Sequence, residues 1–324
     1  MNHPIFTISL DFEMMWGVFD KRSINTYGSN ILGSVSVIPK MLALFEKYNV
    51  HATWAVVGCL HFNNLSLLSA HLSKNEINYC NSKLSAYKHG LTIDEGDYLN
   101  YYSAPELIKK IAQTPGQEIG SHTFSHYYCL EPGQTIASFS DDLRQSIDIS
   151  AVHGYSTKSI IFPRNQYSTE YLKACKNMGV VTYRGNENNR LQTPRNQDKL
   201  SLSIRLLRLI DSYLNLTGSN DHKIQSPADD MPINVPSSSF FRPYNAKLKL
   251  LEWLKIRRIK NSMTKAAKNN SLYHLWWHPH NFGINQQQNL KQLEEILKHY
   301  SYLNKVYLMK SLNMNEIGNN YNSK

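Results

Sequence analysis

The sequence predicts an alternating α/β fold built on a parallel, barrel-like sheet, and three observations lead to this prediction. Apolar segments of strand length alternate with amphipathic segments of helical period along most of the chain. Most connections between them are short, as in βαβ units. Acidic and imidazole side chains follow directly after several of the predicted strands. Because the carboxyl ends of parallel strands face the ligand in such folds, these side chains are candidates for a site.

The elements follow one another in a regular order. IFTISL is the first strand and ends where Asp11 and Glu13 appear. A helix is predicted over IPKMLALFEKY, with starting signals at Ser36 and Pro39, before the strand ATWAVVG. Two later pairs of helix and strand are SDDLRQSIDIS with KSIIFP and STEYLKACKNMG with VVTYRG, and near the end the strand SLYHLWW precedes the helix NLKQLEEILKHY. The alternation indicates a barrel-like arrangement.

The chain of 324 residues, 41% hydrophobic, is long enough for one large core. We therefore predict a single domain over residues 1–324. Two regions, near 62–106 and 188–240, are longer than ordinary connections and are interpreted as insertions that cap the site. The formal charge of +10 is compatible with nucleic acid, an anionic membrane or an acidic substrate. Nucleic acid is disfavoured, because the basic residues are scattered and no known reader motif is present.

The start of the chain and its cysteines bear on location. MNHPIFTISLDFE lacks a basic segment followed by a long apolar run, so no secretory signal is expected. No apolar run approaches the ~18 residues of a membrane-spanning helix. The four cysteines, Cys59, Cys80, Cys129 and Cys175, have no CxxC spacing and suit a reducing compartment. These features favour a cytoplasmic protein that is soluble or in peripheral contact with the inner face of the membrane.

The strongest chemical signal is the pair His122 and His126 in GQEIGSHTFSHYY. A helical turn would place both imidazoles on one face, within reach of one metal ion. Such a pair alone is more often surface decoration, but Asp11 and Glu13, two apart in an extended chain, offer a carboxylate from another strand end. Two histidines and one carboxylate leave coordination positions open, as in catalytic zinc sites. The other carboxylate would then serve as general base.

Further candidates lie at two other strand ends. LYHLWWHPHNFG brings His278 and His280 to the end of a strand, where either could act as general acid toward an amine. His274, inside that strand, is interpreted as a packing residue. Arg164, after KSIIFP, could hold the base carboxylate ionised through a charged hydrogen bond, although an exposed loop arginine is about equally expected.

These residues resemble the motifs of the polysaccharide deacetylases with NodB homology, also called carbohydrate esterase family four. Asp11-Phe12-Glu13 looks like the first motif, His122 to His126 the second, Phe162 to Tyr167 the third and Leu275 to His278 the last. The resemblance implies a distorted (β/α) barrel with fewer than eight full units and metal-dependent removal of an N-acetyl group from a sugar. By this resemblance Asp11 is the base, Arg164 is its partner and His278 is the acid. Glu13, His122 and His126 are the ligands of a divalent metal, most often zinc.

Three departures from the family pattern stand out. One is that the last motif offers both His278 and His280, and the resemblance favours His278 because it directly follows the apolar strand residues. Asp-x-Glu replaces adjacent aspartates, so either Asp11 or Glu13 could be the ligand, and FPRNQYS shifts Arg164 from its usual place. DFE with WG near the start and HPHNFG near the end resemble a subgroup associated with O-antigen or capsule synthesis. This implies an N-acetylated sugar or glycan, nucleotide-linked or lipid-linked, and the basic stretches SIRLLRLIDSYL and KLKLLEWLKIRRIK are candidates for contact with lipid or pyrophosphate.

Two other functions remain open. The same scaffold can hydrolyse other C–N amide bonds, as in cyclic-ureide hydrolases that look like this family. A barrel that has lost its chemistry could also bind glycans without cleaving them. Retention of His122, His126 and Asp11 argues against the second alternative, because sugar binding alone does not require them.

Overall fold

A parallel sheet curled into a barrel forms the centre of the molecule in the computed structural model, which describes residues 3–72, 79–187 and 202–322. The strands found in these ranges are β1 (Ile5–Phe12), β2 (Ala52–Val56), β3 (Gln117–Ser121), β4 (Ser159–Ile160), β5 (Thr182–Tyr183), β6 (Ile233–Asn234), β7 (Ser239–Phe240), β8 (Leu272–Trp277) and β9 (Lys310–Ser311). Their order is β6-β5-β4-β3-β2-β1-β8-β7, with β9 alongside β1, and every strand pair is parallel. The predicted distorted (β/α) barrel is confirmed.

The two ends of this sheet are joined by a very short segment. β6 pairs with β5 at one end and β7 with β8 at the other, yet only residues 235–238 separate them. Within that segment Ser237 donates its N–H to Gly185, and Ser238 donates to His274. The chain therefore crosses from one end of the sheet to the other over four residues, which requires the sheet to curl so that its two end strands approach each other.

The helices surround this sheet and follow the predicted alternation. Those of the described ranges are α1 (Ile24–Lys47), α2 (Leu65–Leu72), α3 (Ala86–Gly90), α4 (Glu95–Asp97), α5 (Pro105–Gln113), α6 (Ile136–Val152), α7 (Thr169–Asn177), α8 (Leu202–Leu214), α9 (Glu252–Lys268), α10 (Gln286–Tyr307) and α11 (Met314–Asn322). The helix predicted to begin near Ser36 and Pro39 begins instead at Ile24. Its start is fixed by Ser23 and Thr26, whose hydroxyl accepts the Ser23 N–H at 3.3 Å.

By length and mean hydropathy alone, α1 is the one helix of the described ranges that could cross a membrane. Ser, Asn and Lys interrupt its apolar residues, so the sequence has no continuous apolar run of that length there. In the structure α1 packs against α10, and Ile31, Ile38, Met41 and Phe45 are buried in the core. A helix buried in a protein core meets the same criteria of length and mean hydropathy as a membrane-spanning one.

The two regions interpreted as insertions differ in what they contribute. The described part of the first region carries α2, α3, α4 and the π-helical turn Tyr98–Tyr102. None of its described residues lines the open cavity that lies over the carboxyl ends of the strands. The described part of the second supplies α8 and the barrel strands β6 and β7. Residues 73–78 and 188–201 lie outside the described residues. The second region thus belongs to the barrel as well as to its cavity.

Candidate metal centre and catalytic cavity

Sheet register brings the candidate ligands to the same edge of the barrel. Phe12 of β1 pairs with Val56 of β2, which pairs with Ser121 of β3. Glu13 and His122 are therefore each the first residue beyond the end of their strand. The polar residues of β1 alternate with its apolar ones, so Ser9 and Asp11 share the opposite face from Phe12. The edge where these strands end carries the site.

Glu13, His122 and His126 form a buried cluster. Oε2 of Glu13 lies 3.2 Å from Nε2 of His122 and 2.9 Å from Nε2 of His126. One ligand atom from each residue lies within 4.8 Å of the others. The sequence left Asp11 and Glu13 as alternative ligands, and the structure places Glu13 between the imidazoles.

The segment that carries the two histidines is a tight loop, so the expected helical turn was wrong. Thr123 and His126 both have positive φ, 63° and 60°. The buried carboxylate of Asp142, on α6, accepts the N–H of Phe124 at 2.8 Å and the hydroxyl of Ser125 at 2.5 Å. This carboxylate takes the place of the helical hydrogen bonds and folds the loop so that both imidazoles turn toward Glu13.

The hydrogen bonds of His122 test whether this cluster fits a metal ion. Its Nδ1 lies 2.7 Å from the carbonyl oxygen of Ile161 and must donate, because a carbonyl only accepts. In the neutral ring Nε2 then directs a lone pair at the Glu13 carboxylate. A cation between them would turn this repulsion into coordination, and an Nδ1–H donated to a carbonyl is the usual support of a metal-bound imidazole. The donor set therefore fits a divalent metal such as zinc.

Electrostatics keep Glu13 ionised. Burial opposes its charge, but the neighbouring His278 and His126 outweigh that effect and hold the pKa of Glu13 well below its ordinary value. Burial lowers the pKa of His126, which favours the neutral imidazole that a metal requires. Both shifts favour the protonation states of metal ligands.

Gly17 provides the space that the Glu13 carboxylate occupies. A Cβ built on Gly17 would overlap the carboxylate atoms of Glu13. This accounts for the glycine of the WG pair near the start of the chain.

We expect Gly17→Ala to displace Glu13 and to weaken metal binding about 10- to 100-fold, the range found when the support of a ligand is lost. Metal titration of the purified variant measures this loss. Gly96→Ala is the matched control, because its Cβ would make only ordinary contact at 3.4 Å. Equal metal affinity in the Gly17 variant and wild type would show that this glycine does not position the ligand.

Asp11 is held by a partner that the sequence did not identify. Arg184, which follows β5, donates to Oδ1 of Asp11 at 2.5 Å and to Oδ2 at 2.8 Å, and both side chains are buried. Ser9 and Asn165 accept two further hydrogen bonds from the same guanidinium. Burial opposes the charge on Asp11, but Arg184 outweighs it, so the pKa of Asp11 lies below its ordinary value. The arrangement gives an ionised carboxylate beside the metal ligands.

The prediction that Arg164 partners Asp11 was wrong. Arg164 has positive φ in a short 3₁₀ turn and pairs with Asp20 and with Glu131. Its guanidinium lies 3.9 Å from the ring centre of Tyr128, whose hydroxyl is 3.2 Å from Nδ1 of His126. Asn165, the next residue, carries the contact to Arg184 instead. Arg164 therefore contacts Tyr128, which in turn contacts the candidate metal ligand His126.

Of the two late histidines, His278 faces the site more directly. Register pairs Leu10 with Trp277, so His278 follows next to Asp11. Its Nε2 lies 3.7 Å from Oδ2 of Asp11 and 3.6 Å from Oε1 of Glu13, and its side chain is 24% exposed. His280 is buried, and burial with the charge of His278 lowers the pKa of His280 to about 3. His278 is the better placed proton donor.

Two neighbours of these histidines have structural roles. The amide of Asn281 lies 3.4 Å from Nδ1 of His278 and 3.3 Å from the hydroxyl of Tyr27, which orients the His278 ring. His274 is buried, as expected for a packing residue, but it also bonds Ser9 at 2.8 Å and the carbonyl of Val235 at 3.1 Å. It thereby supports the Ser9 hydroxyl that contacts Arg184.

An open cavity of about 490 Å³ lies over these groups. Asp11, Glu13, His126, His278 and His280 reach its wall, and Phe240 and Trp276 add aromatic faces beside His278. Its volume is in the range that accepts a drug-sized ligand. The arrangement combines a candidate metal centre, a carboxylate base and an imidazole acid in one cavity.

Fold and site together define a (β/α) barrel hydrolase with a candidate metal centre at the carboxyl ends of its strands. The chain belongs to the polysaccharide deacetylase family, whose model matches residues 13–183. This is a family of hydrolases that act on carbon–nitrogen bonds other than peptide bonds and that are generally metal-dependent. No curated protein matches the sequence.

Solved structures share the fold at low sequence identity. A structure assigned as a polysaccharide deacetylase from Mycobacterium smegmatis has a TM-score of 0.62 and 13% identity, covering 99% of this chain and 91% of the other. One from Pseudomonas aeruginosa PAO1 gives 0.56 and 12%, covering 99% and 90%. PuuE allantoinase gives 0.57 and 10%, also covering 99% and 90%. At these identities the likeness shows the shared fold alone.

Proposed function

We propose that this protein is a metal-dependent N-deacetylase that hydrolyses the acetamido group of a sugar. The observation that carries the proposal is the convergence of Glu13, His122 and His126, with ligand atoms within 4.8 Å, beside the ion pair of Asp11 and Arg184. Zinc is the metal we propose, because two imidazoles and one carboxylate form a common catalytic zinc site. Bound there, zinc would lower the pKa of a water to about 7 and polarise the acetyl carbonyl.

The other groups take roles that their positions support. Asp11, kept ionised by Arg184, accepts a proton from the attacking water, whose oxygen bonds to the acetyl carbon. The C–N bond then breaks, and protonated His278 gives its Nε2 proton to the amine. The products are acetate and the free amino sugar. Phe240 and Trp276 offer flat faces against which a sugar ring can pack.

For the biological setting we propose synthesis of a surface polysaccharide such as O-antigen or capsule, at the cytoplasmic face of the membrane. The DFE, WG and HPHNFG segments support this assignment by their resemblance to that subgroup. Exposed apolar residues at the start of α9 and just before it support peripheral membrane contact, since Leu250 is 80% and Trp253 57% exposed. Arg257 lies 5.9 Å from the Trp253 ring, as suits an anionic lipid surface.

Two alternatives compete with this function. A cyclic-ureide hydrolase would use the same metal chemistry, and PuuE allantoinase has a similar fold. A glycan-binding protein without activity would not need the buried pair of Asp11 and Arg184, whose burial is costly unless the charges have a use. The pair therefore favours catalysis.

Acetate release from N-acetylglucosamine and its oligomers, measured beside turnover of allantoin, tests the proposal. We expect acetate release that a chelator abolishes and added zinc restores. Turnover of allantoin in preference to acetamido sugars would favour the first alternative. Sugar binding by metal-loaded protein with no acetate release would favour the second.

A further inference from the structure

Basic side chains dominate the wall of the catalytic cavity. The six basic residues there outnumber the four acidic ones, before any metal charge is added; they are Lys21, Arg22, Arg164, Arg208, Arg242 and Arg258 against Asp11, Glu13, Glu187 and Asp211. A basic side chain of this wall that has no counter-charge in the protein would favour an anionic group on the ligand.

Two of these arginines are already neutralised. Arg164 pairs with Asp20 and Glu131, and Nη2 of Arg258 pairs with Asp211 at 2.9 Å. Arg242 differs from them. Within the described part of the chain, no ion pair or hydrogen bond of its side chain is found, although it lines the cavity and is only partly exposed.

The surroundings of Arg242 leave its charge poorly compensated. It follows β7, and its guanidinium lies 5.9 Å from the ring centre of Phe240. Burial, joined by the positive charge of Arg208 on α8, outweighs the effects of Tyr213, Glu187 and Asp211 and lowers the pKa of Arg242. Arg242 and Arg208 both line the cavity, and within the described residues Arg242 has no carboxylate paired with it.

We propose that Arg242 forms a subsite for a phosphate or diphosphate carried by the acetamido sugar. A guanidinium binds phosphate oxygens through two parallel hydrogen bonds, and a bound anion would supply the counter-charge that Arg242 lacks. The subsite is adjacent to the catalytic groups, because Phe240 lies 4.7 Å from Trp276 and 5.9 Å from His278 between ring centres. This inference rests on the proposed deacetylase function and names the substrate class of that same cavity.

The experiment compares four ligands that share one sugar: N-acetylglucosamine, its 1-phosphate, its uridine diphosphate derivative and a short-chain prenyl diphosphate derivative. For each, kcat/KM for acetate release and the calorimetric Kd are measured. We expect the phosphorylated sugars to be preferred over N-acetylglucosamine. Arg242→Gln should lower that preference about 10- to 100-fold, as expected for a lost hydrogen bond to a charged group. Arg242→Lys should lower it less, since the charge is kept. The nucleotide and prenyl arms distinguish the two possible carriers.

Arg144→Gln is the matched control, because Arg144 is an exposed arginine of α6 that pairs with Asp141 outside the cavity, and its loss should leave the preference unchanged. Equal use of neutral and phosphorylated sugars by the wild type would overturn the subsite. So would a preference for phosphate that Arg242→Gln leaves intact, because the phosphate would then bind elsewhere. Absence of acetate release from all four sugars would count against the deacetylase function, while the Kd values would still decide whether Arg242 binds phosphate.

Discussion

Replacing His126 with alanine is expected to remove the bound metal and to lower kcat/KM at least about 100-fold. Loss of only the outer support of a metal ligand costs up to about that factor, and here the ligand itself is removed. Nε2 of His126 lies 2.9 Å from Oε2 of Glu13, so its loss opens one side of the cluster and leaves two donors. Metal content by elemental analysis and acetate release from the same preparation give the result.

The control for this variant is His61→Ala. His61 is also a buried histidine, and burial with the charge of His153 lowers the pKa of His61 to about 3, but it lines a different cavity. Its replacement should reduce the free energy of unfolding and leave the metal content of the folded protein unchanged. Full activity of the His126 variant without metal would contradict the proposed chemistry.

The second large effect is expected from Asp11→Asn, with kcat reduced about 10²- to 10⁴-fold at unchanged metal content. An amide of the same shape cannot accept the proton of water, and general base catalysis contributes about this factor. The variant also leaves Arg184 without its counter-charge, which is expected to cost about 3–5 kcal/mol of stability for a broken buried pair. Assays therefore have to be run well below the unfolding temperature of the variant.

Asp211→Asn is the control for this variant, because it removes a buried charge but leaves the proposed base in place. Asp211 is likewise a buried carboxylate in the cavity wall and pairs with Arg258. Its replacement should cost comparable stability but leave kcat on N-acetylglucosamine within a few-fold of wild type. If both variants lose kcat equally, or if the Asp11 variant keeps it, Asp11 is not the base.

Much of the fold and part of the cluster could be predicted because they depend on local pattern. Apolar runs of strand length and amphipathic helices identified β1, β2, β8 and the helix α10. The carboxylates at the end of the first strand pointed to Glu13, because parallel strands end at one edge of the sheet, and the spacing of the histidine pair pointed to His122 and His126. The spacing of Asp11 and Glu13 did not show which of the two carboxylates is the metal ligand. Only the positions of the His122 and His126 imidazoles in the structure distinguish Glu13 from Asp11.

Arg184 could not be assigned from the sequence, although a signal was present. It lies at the end of the predicted strand VVTYRG just as Asp11 lies near the end of β1, but β5 and β1 are not neighbours in the sheet. Their end residues meet only because the sheet curls into a barrel, and this curvature is a property of the whole fold. The family motif pointed to Arg164 as the partner, yet the turn at Arg164 directs its guanidinium to Asp20.

The conformation of the loop that carries His122 and His126 also could not be predicted from the local sequence. HxxxH spacing suits a helix, but Thr123 and His126 adopt positive φ instead. The hydrogen bonds that stabilise this conformation come from Asp142, which is 16 residues beyond His126 and on another element. Tertiary hydrogen bonding therefore overrides the local preference, as is common at functional sites.

The most direct test is an anomalous difference map from crystals of the purified protein, recorded on both sides of the zinc absorption edge. We predict one strong peak within bonding distance, about 2.0–2.2 Å, of the Glu13 carboxylate and of Nε2 in His122 and His126. An active protein whose crystals show no metal there, or show it bound by other residues, would contradict the account.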